Sequence, residues 1–407
     1  MTTVSVNQTR NADIRALLAA RGLRGFGDGF AVIVLPAYLA ALGLTSAQIG
    51  FVATAALLGT AVLTFAVGFV GARYELRSLF LAGAALIVVT GLAFANVETI
   101  ALILAVAFIG TLNPSAGDLG MLVPLEHTAL TREARDRERT RVFAHYNLVG
   151  SLSTAAGSLA AALPDLFVRH GLTEVSALKA MFYVYALIGI AATVLYQRLP
   201  RDHAHASAAP RQVLPQSRGI VYKLAALFCL DAFAGGFAVQ SLLVLWLFER
   251  FELSLAAASV FFLWSNLLSA LSFPVAAWLS ARIGLVNTMV YTHIPASLCM
   301  ILVAFAPNLT LALALLLLRS PLSQMDVPTR SSYVMAVVAP DERTAAASFT
   351  AVPRSLASSI SPAISGFLLA GSFSGLPLVL CGALKIVYDV ILLYSFRHLK
   401  PPEEKSL

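Results

Sequence analysis

Apolar stretches of about 20 residues recur along the whole chain, and they limit its fold more than any other feature. At about 1.5 Å per helical residue, each stretch is long enough to cross a hydrocarbon layer of about 30 Å. An open sheet would leave backbone groups unpaired in lipid, and barrel strands would alternate polar and apolar residues. We therefore expect an all-α membrane protein with twelve transmembrane helices. The spans, numbered 1 to 12, are residues 16–42, 47–71, 78–95, 99–130, 141–164, 176–198, 219–248, 254–279, 286–306, 308–337, 345–369 and 374–397.

The charged residues are few, and most of the basic ones lie on one side of the expected membrane. Only 12% of the residues are charged and 58% are hydrophobic, which excludes a soluble surface for most of the chain. Lys and Arg cluster at 73–77, 132–141 and 198–223, in loops that share one side. By the positive-inside rule this side is the cytoplasm, so we expect both termini there and the protein in the cell membrane. Contact with lipid head groups accounts for the net charge of +7, and no nucleic-acid partner is needed.

A polar segment at 199–218 divides the spans into two sets of six. We expect an amino-terminal six-helix bundle at 1–198, a cytoplasmic linker at 199–218 and a carboxyl-terminal bundle at 219–407. Four matches in the same order indicate that the halves repeat each other. They are Gly29-Phe30-Ala31-Val32 with Gly236-Phe237-Ala238-Val239, Ala72-Arg73 with Ala281-Arg282, Asp118 with Asp326, and Glu138-Arg139-Thr140 with Glu342-Arg343-Thr344. Such pseudo-symmetric repeats are typical of transporters that work by alternating access.

Three sequence patterns resemble the major facilitator superfamily over essentially the whole chain. They are Leu35-Pro36-Ala37-Tyr38-Leu39 before span 2, Gly68-Phe69-Val70-Gly71-Ala72-Arg73 after span 2 with its copy Ala281-Arg282-Ile283-Gly284 after span 8, and Ala339-Pro340-Asp341-Glu342-Arg343-Thr344 before span 11. Ala72 stands where the family pattern has Asp, and Glu75 where it has a second Gly. The resemblance implies a secondary transporter with spans 1, 4, 7 and 10 around the solute, and Arg73 and Arg282 are the matching candidates for a gate.

Span 10 carries the densest group of charges that a membrane disfavours. Each such charge costs about 2.5–3.5 kcal/mol, so those that remain are usually paired or functional. Asp326 and Arg330 are four residues apart and are expected to form an ion pair, which leaves Arg319 to bind an anionic solute. The alternative is that Arg319 pairs with Asp118 or Asp231 and only stabilises the fold. The expected solute-binding residues are Arg319, Gln324, Asp326, Arg330, Trp246 and Asn266.

Three buried carboxylates are candidates for carrying a proton: Asp28, Asp118 and Asp231. A carboxyl group in an apolar environment resists ionisation and can exchange its proton near neutral pH. The alternative is a permanently ionised acid paired with Arg24 or Arg319. Arg24 is near enough to the cytoplasmic end of span 1 for its head group to reach the interface.

Two further residues are candidates for the gate. Glu126 ends span 4 beside an inner loop, where it is expected to be solvated or paired with a gate residue. Arg354 in span 11 is expected to pair with Asp389 or with an acid near the inner surface.

No pattern indicates an enzyme or a cofactor. The sequence has no phosphate-binding loop, no serine-elbow motif and no HExxH motif, and its three cysteines are widely spaced in separate spans. The leading hypothesis is a monomeric transporter that exports a small organic solute by proton antiport, in contact only with solute, protons and membrane lipid. Uptake or exchange of an anionic solute is the alternative, and a polytopic membrane enzyme is a remote one.

Overall fold

The computed structural model describes residues 2–70, 74–115, 120–133, 139–200, 214, 216–339 and 342–399. The described residues form helices and contain no strand, which confirms the expected all-α fold. The helices are α1 (Thr2–Ala41), α2 (Ser46–Val70), α3 (Leu76–Asn96), α4 (Ile100–Ile109), α5 (Leu122–Glu133), α6 (Arg139–Ala160), α7 (Leu163–Arg169), α8 (Glu174–Tyr196), α9 (Arg218–Gly236), α10 (Gln240–Phe251), α11 (Leu255–Ile283), α12 (Leu285–Ala304), α13 (Leu309–Gln324), α14 (Asp326–Val337), α15 (Arg343–Leu369) and α16 (Leu376–Phe396).

Nine helical segments of the described chain have the length and hydropathy to cross a membrane. They are Ala12–Ala41, Ser46–Gly68, Leu76–Asn96, Val142–Arg169, Glu174–Tyr196, Arg218–Phe251, Leu255–Ile283, Leu285–Ala304 and Leu376–Phe396. The other three predicted spans contain helices, but span 4 is interrupted, because its described residues 110–115 and 120–121 are not helical. Span 4 is formed by α4 and α5, span 10 by α13 and α14, and span 11 by α15.

Span 10 is broken four residues before Pro328, whereas its other proline, Pro321, lies inside α13. Helix α13 ends at Gln324, and α14 begins at Asp326. Pro328 has no N–H group, so the helical hydrogen bond to the carbonyl of Gln324 cannot form. The break therefore falls at the carbonyl that Pro328 leaves without its partner.

The turn after α11 explains which glycine of the loop pattern is retained. Gly284 alone separates α11 from α12 and has a φ of +87°, a conformation that glycine adopts without steric cost. At the corresponding position after α2, Glu75 has a φ of −59°. The first copy therefore has no conformational need for glycine there.

By internal contacts the described chain divides into two compact units. Unit 1 is Met1–Leu44, Ala55–Ala209 and Ser254–Leu263, and unit 2 is Thr45–Thr54, Pro210–Leu253 and Trp264–Leu407. Within unit 2, the Ala363 N–H donates to the Thr54 hydroxyl at 2.9 Å. Within unit 1, the Ala256 N–H donates to the Asp165 carboxylate at 3.2 Å. The two short segments are thus held by contacts distant in sequence, and the bundle boundaries 1–198 and 219–407 remain a prediction.

The same helix pairing occurs in both units, at the glycines of the repeat. Gly29 brings α1 against the backbone of α6, and Gly236 brings α9 against α15; a Cβ atom on either glycine would overlap its neighbour. A serine lies at each contact. Ser365 donates to the Phe237 carbonyl at 2.7 Å, whereas the Ser158 hydroxyl lies 3.0 Å from the Thr154 carbonyl of its own helix and 3.4 Å from the Gly29 carbonyl. The internal repeat is therefore visible in the packing of each half.

Candidate functional site

Unit 1 contains a buried carboxylate on which four helices converge. Glu126 of α5 has no exposed surface and forms an ion pair with Arg24 of α1. Tyr146 of α6 donates its hydroxyl to Glu126 Oε2 at 2.6 Å, and Tyr196 of α8 donates to Oε1 at 2.8 Å. We call these four residues the Glu126 cluster. Its three donors offset the cost of removing a carboxylate from water.

Aromatic and cationic neighbours hold the donors of the Glu126 cluster in place. Tyr196 stacks on Phe80 with ring centroids 4.7 Å apart and an interplanar angle of 13°. Arg21 lies over the ring of Tyr146, 5.0 Å from its centroid. The hydroxyl groups are thus positioned by packing as well as by hydrogen bonds.

The cluster corrects two expectations from the sequence. Glu126 is not solvated, because α5 continues for seven more residues, to Glu133, and buries it. Arg24 does not extend to the interface, because it is 7% exposed and paired with Glu126. Sequence position along a span did not indicate that these two side chains face each other.

Asp28 lies one helical turn beyond Arg24 and faces a small cavity. The cavity has a volume of about 30 Å³, enough for about two water molecules. Among the described residues Asp28 forms no hydrogen bond or ion pair, and the nearby Arg24 is already paired with Glu126. Other residues of the cavity wall are Thr60, Ile87, Thr111 and Tyr185. The Asp28 carboxyl group therefore lies beside a cavity that can hold water, and no described cation is bound to it.

Two candidates from the sequence lie outside the described residues. They are Asp118, expected to carry a proton, and Arg73, expected in the gate. Both expectations remain predictions.

Unit 2 contains a larger buried charge network centred on Asp231 of α9. Arg330 of α14 donates to Asp231 Oδ2 at 3.0 Å, and Lys385 of α16 donates to Oδ1 at 2.6 Å. Arg330 also pairs with Asp326 at 3.1 Å, which confirms the ion pair expected from their spacing. Asp231 pairs with Arg330 and Lys385 rather than with Arg319 or Arg24. It is thus bridged by two cations.

A histidine and a second aspartate extend this network. His293 Nδ1 of α12 lies 3.0 Å from both carboxylate oxygens of Asp389 on α16. Its Nε2 lies 3.3 Å from Lys385 Nζ and 3.9 Å from Asp231 Oδ1. We call the six residues the Asp231 cluster: Asp231, Asp326, Arg330, Lys385, His293 and Asp389.

The sequence did not reveal the histidine end of the Asp231 cluster. Asp389 was expected to pair with Arg354, and that expectation is wrong because Asp389 is bound to His293. The available signal was the spacing of Lys385 and Asp389, four residues apart on one face of α16. Nothing in the sequence indicated that α12 supplies the residue between them.

Two arginines of unit 2 have no acidic partner among the described residues. Arg319 forms no hydrogen bond or ion pair there, and Arg354 has a buried Nε without a hydrogen-bond partner. The alternative pairing of Arg319 with Asp231 is therefore wrong, whereas its pairing with Asp118 lies outside the described residues.

The other candidates occupy separate places in unit 2. Trp246 of α10 is 1% exposed, and its indole N–H has no partner among the described residues. Gln324 and Asn266 are half-buried on α13 and α11. Arg282 is exposed at the end of α11 and lies over Trp278, 4.2 Å from the ring centroid. Their roles in solute binding and gating remain predictions.

The described residues contain no group of three or more His, Cys, Asp or Glu side chains placed to hold a metal ion. The two clusters are instead built from alternating acids and bases with tyrosine or histidine between them. Such an arrangement can hold charge in a membrane or transfer protons.

Comparison with known proteins gives relatives along nearly the whole chain. An uncharacterized membrane protein of Saccharomyces cerevisiae, YJR124C, is 23% identical, over 94% of each chain. The crystal structure of the nucleoside transporter NupG has a TM-score of 0.71 at 16% identity and covers 95% of this chain and 98% of its own. The partially occluded, inward-open structure of the xylose transporter XylE from E. coli has a TM-score of 0.72 at 14% identity, with coverage of 97% and 99%.

The model of the Major Facilitator Superfamily matches residues 17–323, which is well over half of the chain. The family and the structural neighbours are transporters rather than enzymes. The chain therefore belongs to the Major Facilitator Superfamily and is a multi-pass membrane transporter of small molecules.

Proposed function

We propose that this transporter exports a small organic solute in exchange for protons, and that Asp28 carries the proton. The observation that supports this most directly is the position of Asp28 beside a cavity large enough for water, without an ion-pair partner among the described residues. A carboxyl group that exchanges protons needs access to water and must be stable in its neutral form. Asp28 meets both conditions.

The other carboxylates are less suited to release and bind a proton in each cycle. Asp231 is bridged by Arg330 and Lys385, so protonating it would leave two buried cations without their shared partner. Glu126 is bound by Arg24 and by two tyrosine hydroxyls. Both clusters favour acids that remain ionised. Arg24 and Arg21 act on Asp28 only through space, and no described cation forms an ion pair with it.

The direction of solute transport and the orientation of the chain in the membrane are part of the proposal. The pattern at residues 35–39 resembles that of exporters, and the excess of basic residues in one set of loops supports cytoplasmic termini in the cell membrane. The structural neighbours transport a nucleoside and xylose. At 16% and 14% identity, their likeness to this chain supports a shared fold and does not indicate a substrate.

The test is proton movement in proteoliposomes that contain a pH-sensitive dye. Anionic, cationic and neutral solutes are presented in turn to the wild type, to Asp28→Asn and to the control Glu174→Gln, an exposed acid of the same unit. We expect solute gradients to drive protons in the opposite direction in the wild type and the control. Asp28→Asn should retain solute counterflow and move fewer protons per solute. A ratio of protons to solute that is unchanged in Asp28→Asn would contradict the role of Asp28.

A second candidate function is uptake or exchange of an anionic solute. Arg319 and Arg354, which have no acidic partner among the described residues, favour it. The same vesicles separate the two functions. Anion counterflow without proton movement would indicate exchange, and protons moving in the same direction as the solute would indicate uptake by symport. In either case Arg319→Gln should raise the KM for the anion.

A further inference from the structure

We propose that His293 is a second proton-binding site and that Lys385 controls it by competing with the proton for Nε2. The site lies in unit 2 and is separate from Asp28 of unit 1. Its use in transport rests on the proposed proton coupling, whereas the competition itself is a property of the Asp231 cluster.

Hydrogen bonding defines which nitrogen of His293 holds the proton in the structure. Asp389 offers two carboxylate oxygens to Nδ1, each at 3.0 Å, and an ionised carboxylate only accepts hydrogen bonds. Nδ1 therefore donates. In neutral histidine the other nitrogen, Nε2, then has a lone pair available.

The lone pair of Nε2 faces the ammonium group of Lys385. Lys385 Nζ lies 3.3 Å from Nε2, and an ammonium group only donates. A proton on Nε2 would place two donors against each other at this distance. Contact with Lys385 and protonation of Nε2 are thus mutually exclusive.

Lys385 has an acceptor that it keeps when it leaves Nε2. Its Nζ is 2.6 Å from Asp231 Oδ1, and its side chain is 14% exposed, compared with 4% for Asp231. Next to it, Gly235 has no side chain, and the space that a Cβ atom would occupy lies 3.8 Å from Lys385 Nζ. Lys385 therefore has room to move while its bond to Asp231 is retained.

The charges around His293 allow it to bind one proton. The groups that face it or act on it through Asp231 are Asp231 on α9, Asp326 and Arg330 on α14, Arg354 on α15, and Lys385, Tyr388 and Asp389 on α16. The six residues of the cluster carry three acids and two permanent cations, so protonation of His293 makes them neutral. Arg354 adds one positive charge at their edge. A protonated Nε2 would lie 3.9 Å from Asp231 Oδ1.

This arrangement links the proton to the position of Lys385. When Lys385 moves away from Nε2, His293 binds a proton and pairs with Asp231. When Lys385 returns, the proton is displaced. An anionic group that attracts Lys385 would therefore favour proton binding at His293.

The test is the protonation state of His293, measured by NMR on the full-length protein in nanodiscs with ¹⁵N-labelled histidine. The signal of His293 is assigned by its absence in His293→Asn. In the wild type at neutral pH we expect the neutral tautomer with the proton on Nδ1. In Lys385→Met, which removes the ammonium group and adds no hydrogen-bond donor, the protonated fraction should rise about tenfold or more.

Two controls make the result specific. Lys385→Arg keeps the charge and the donor and should preserve the wild-type spectrum. The NMR signal of the exposed His145 of unit 1 should be the same in all variants. An Nε2–H tautomer in the wild type would overturn the proposal without the need for a variant. A His293 signal that is unchanged in Lys385→Met would overturn it as well.

Vesicle measurements test the use of the site in transport. His293→Asn and Asp28→Asn should each lower the number of protons moved per solute, and the variant with both changes should move none. A ratio that is unchanged in His293→Asn would overturn the transport role of His293. Absence of proton movement in the wild type would instead contradict the proposed function, and the NMR result would still decide whether Lys385 controls His293.

Discussion

Arg24 and Asp231 occupy equivalent positions in the two halves and carry opposite charges. They are 207 residues apart, the same offset that relates Gly29 to Gly236. Arg24 pairs with Glu126, and Asp231 pairs with Arg330. Each half thus buries one ion pair between its first and fourth predicted spans, with the polarity reversed.

Removing Arg24 should destabilise the protein far more than removing an exposed cation. Arg24→Met leaves the fully buried Glu126 without its cation, and we expect a loss of about 3–5 kcal/mol in the free energy of unfolding. The control is Lys179→Met, which breaks the exposed pair with Glu98 at 2.5 Å and should cost about 0–1 kcal/mol. Equilibrium unfolding in mixed micelles measures both. Equal losses would contradict the importance of burial at Glu126.

Asp231 should be more important for stability than Asp326. Asp231→Asn removes the carboxylate shared by Arg330 and Lys385, and we expect a loss of about 3–5 kcal/mol. Asp326→Asn removes one of the two acids paired with Arg330, so its effect should be smaller. Thermal unfolding of the two variants in the same detergent gives the order, and a larger effect of Asp326→Asn would contradict the bridging role of Asp231.

Alanine at either glycine of the repeat should overpack a helix contact. Gly29→Ala and Gly236→Ala place a methyl group against a neighbouring helix, and overpacking of this kind costs about 1–3 kcal/mol. Gly219→Ala is the control, because nothing lies within 4 Å of its Cβ position. The free energy of unfolding of the three variants tests this expectation. A loss in Gly219→Ala as large as in the other two would contradict packing as the cause, because alanine favours the helix more than glycine and its methyl group would meet no neighbour there.

Glu342 should make stability depend on pH in the acidic range. Its carboxylate accepts hydrogen bonds from the N–H groups of Ser217 at 2.9 Å and Gln216 at 2.8 Å, just before α9. Hydrogen bonds from Ser217 and from the Gln216 backbone hold the pKa of Glu342 below its ordinary value. The stabilisation is therefore complete above the ordinary pKa of a glutamate and is lost as the pH falls through the lowered one.

Glu342→Gln measures this contribution. The melting temperature of the wild type should exceed that of the variant at pH 7, and the difference should shrink as the pH falls from about 5 to 3. Glu174→Gln, at an exposed acid, should not change the pH dependence. A difference between wild type and Glu342→Gln that is constant with pH would contradict the role of the ionised carboxylate.

The sequence predicts contacts within one helix better than contacts between helices. The pair of Asp326 and Arg330 follows from a spacing of four residues, and the break at Gln324 follows from Pro328. By contrast, the pairs of Arg24 with Glu126 and of His293 with Asp389 join helices far apart in the chain. Spans that are apolar on most of their surface do not indicate which face meets which neighbour.

The repeat carries more information than any single candidate residue. Matching Gly29 with Gly236 identifies a close helix contact in each half, and the same offset leads to Arg24 and Asp231. The reversed polarity of the two ion pairs hides this correspondence, because a comparison of residue types finds Arg opposite Asp. Position within the repeat, rather than identity, is the useful signal.

The backbone contacts at Gly29 and Gly236 have a mechanical consequence. Two helices whose backbones touch at a glycine cannot slide or rotate against each other without a steric clash, and between α9 and α15 such a movement would also break the hydrogen bond of Ser365. Helices α1 and α6 therefore move together as one rigid body, and so do α9 and α15. Bending within unit 2 must therefore occur elsewhere, at the interruption between α13 and α14.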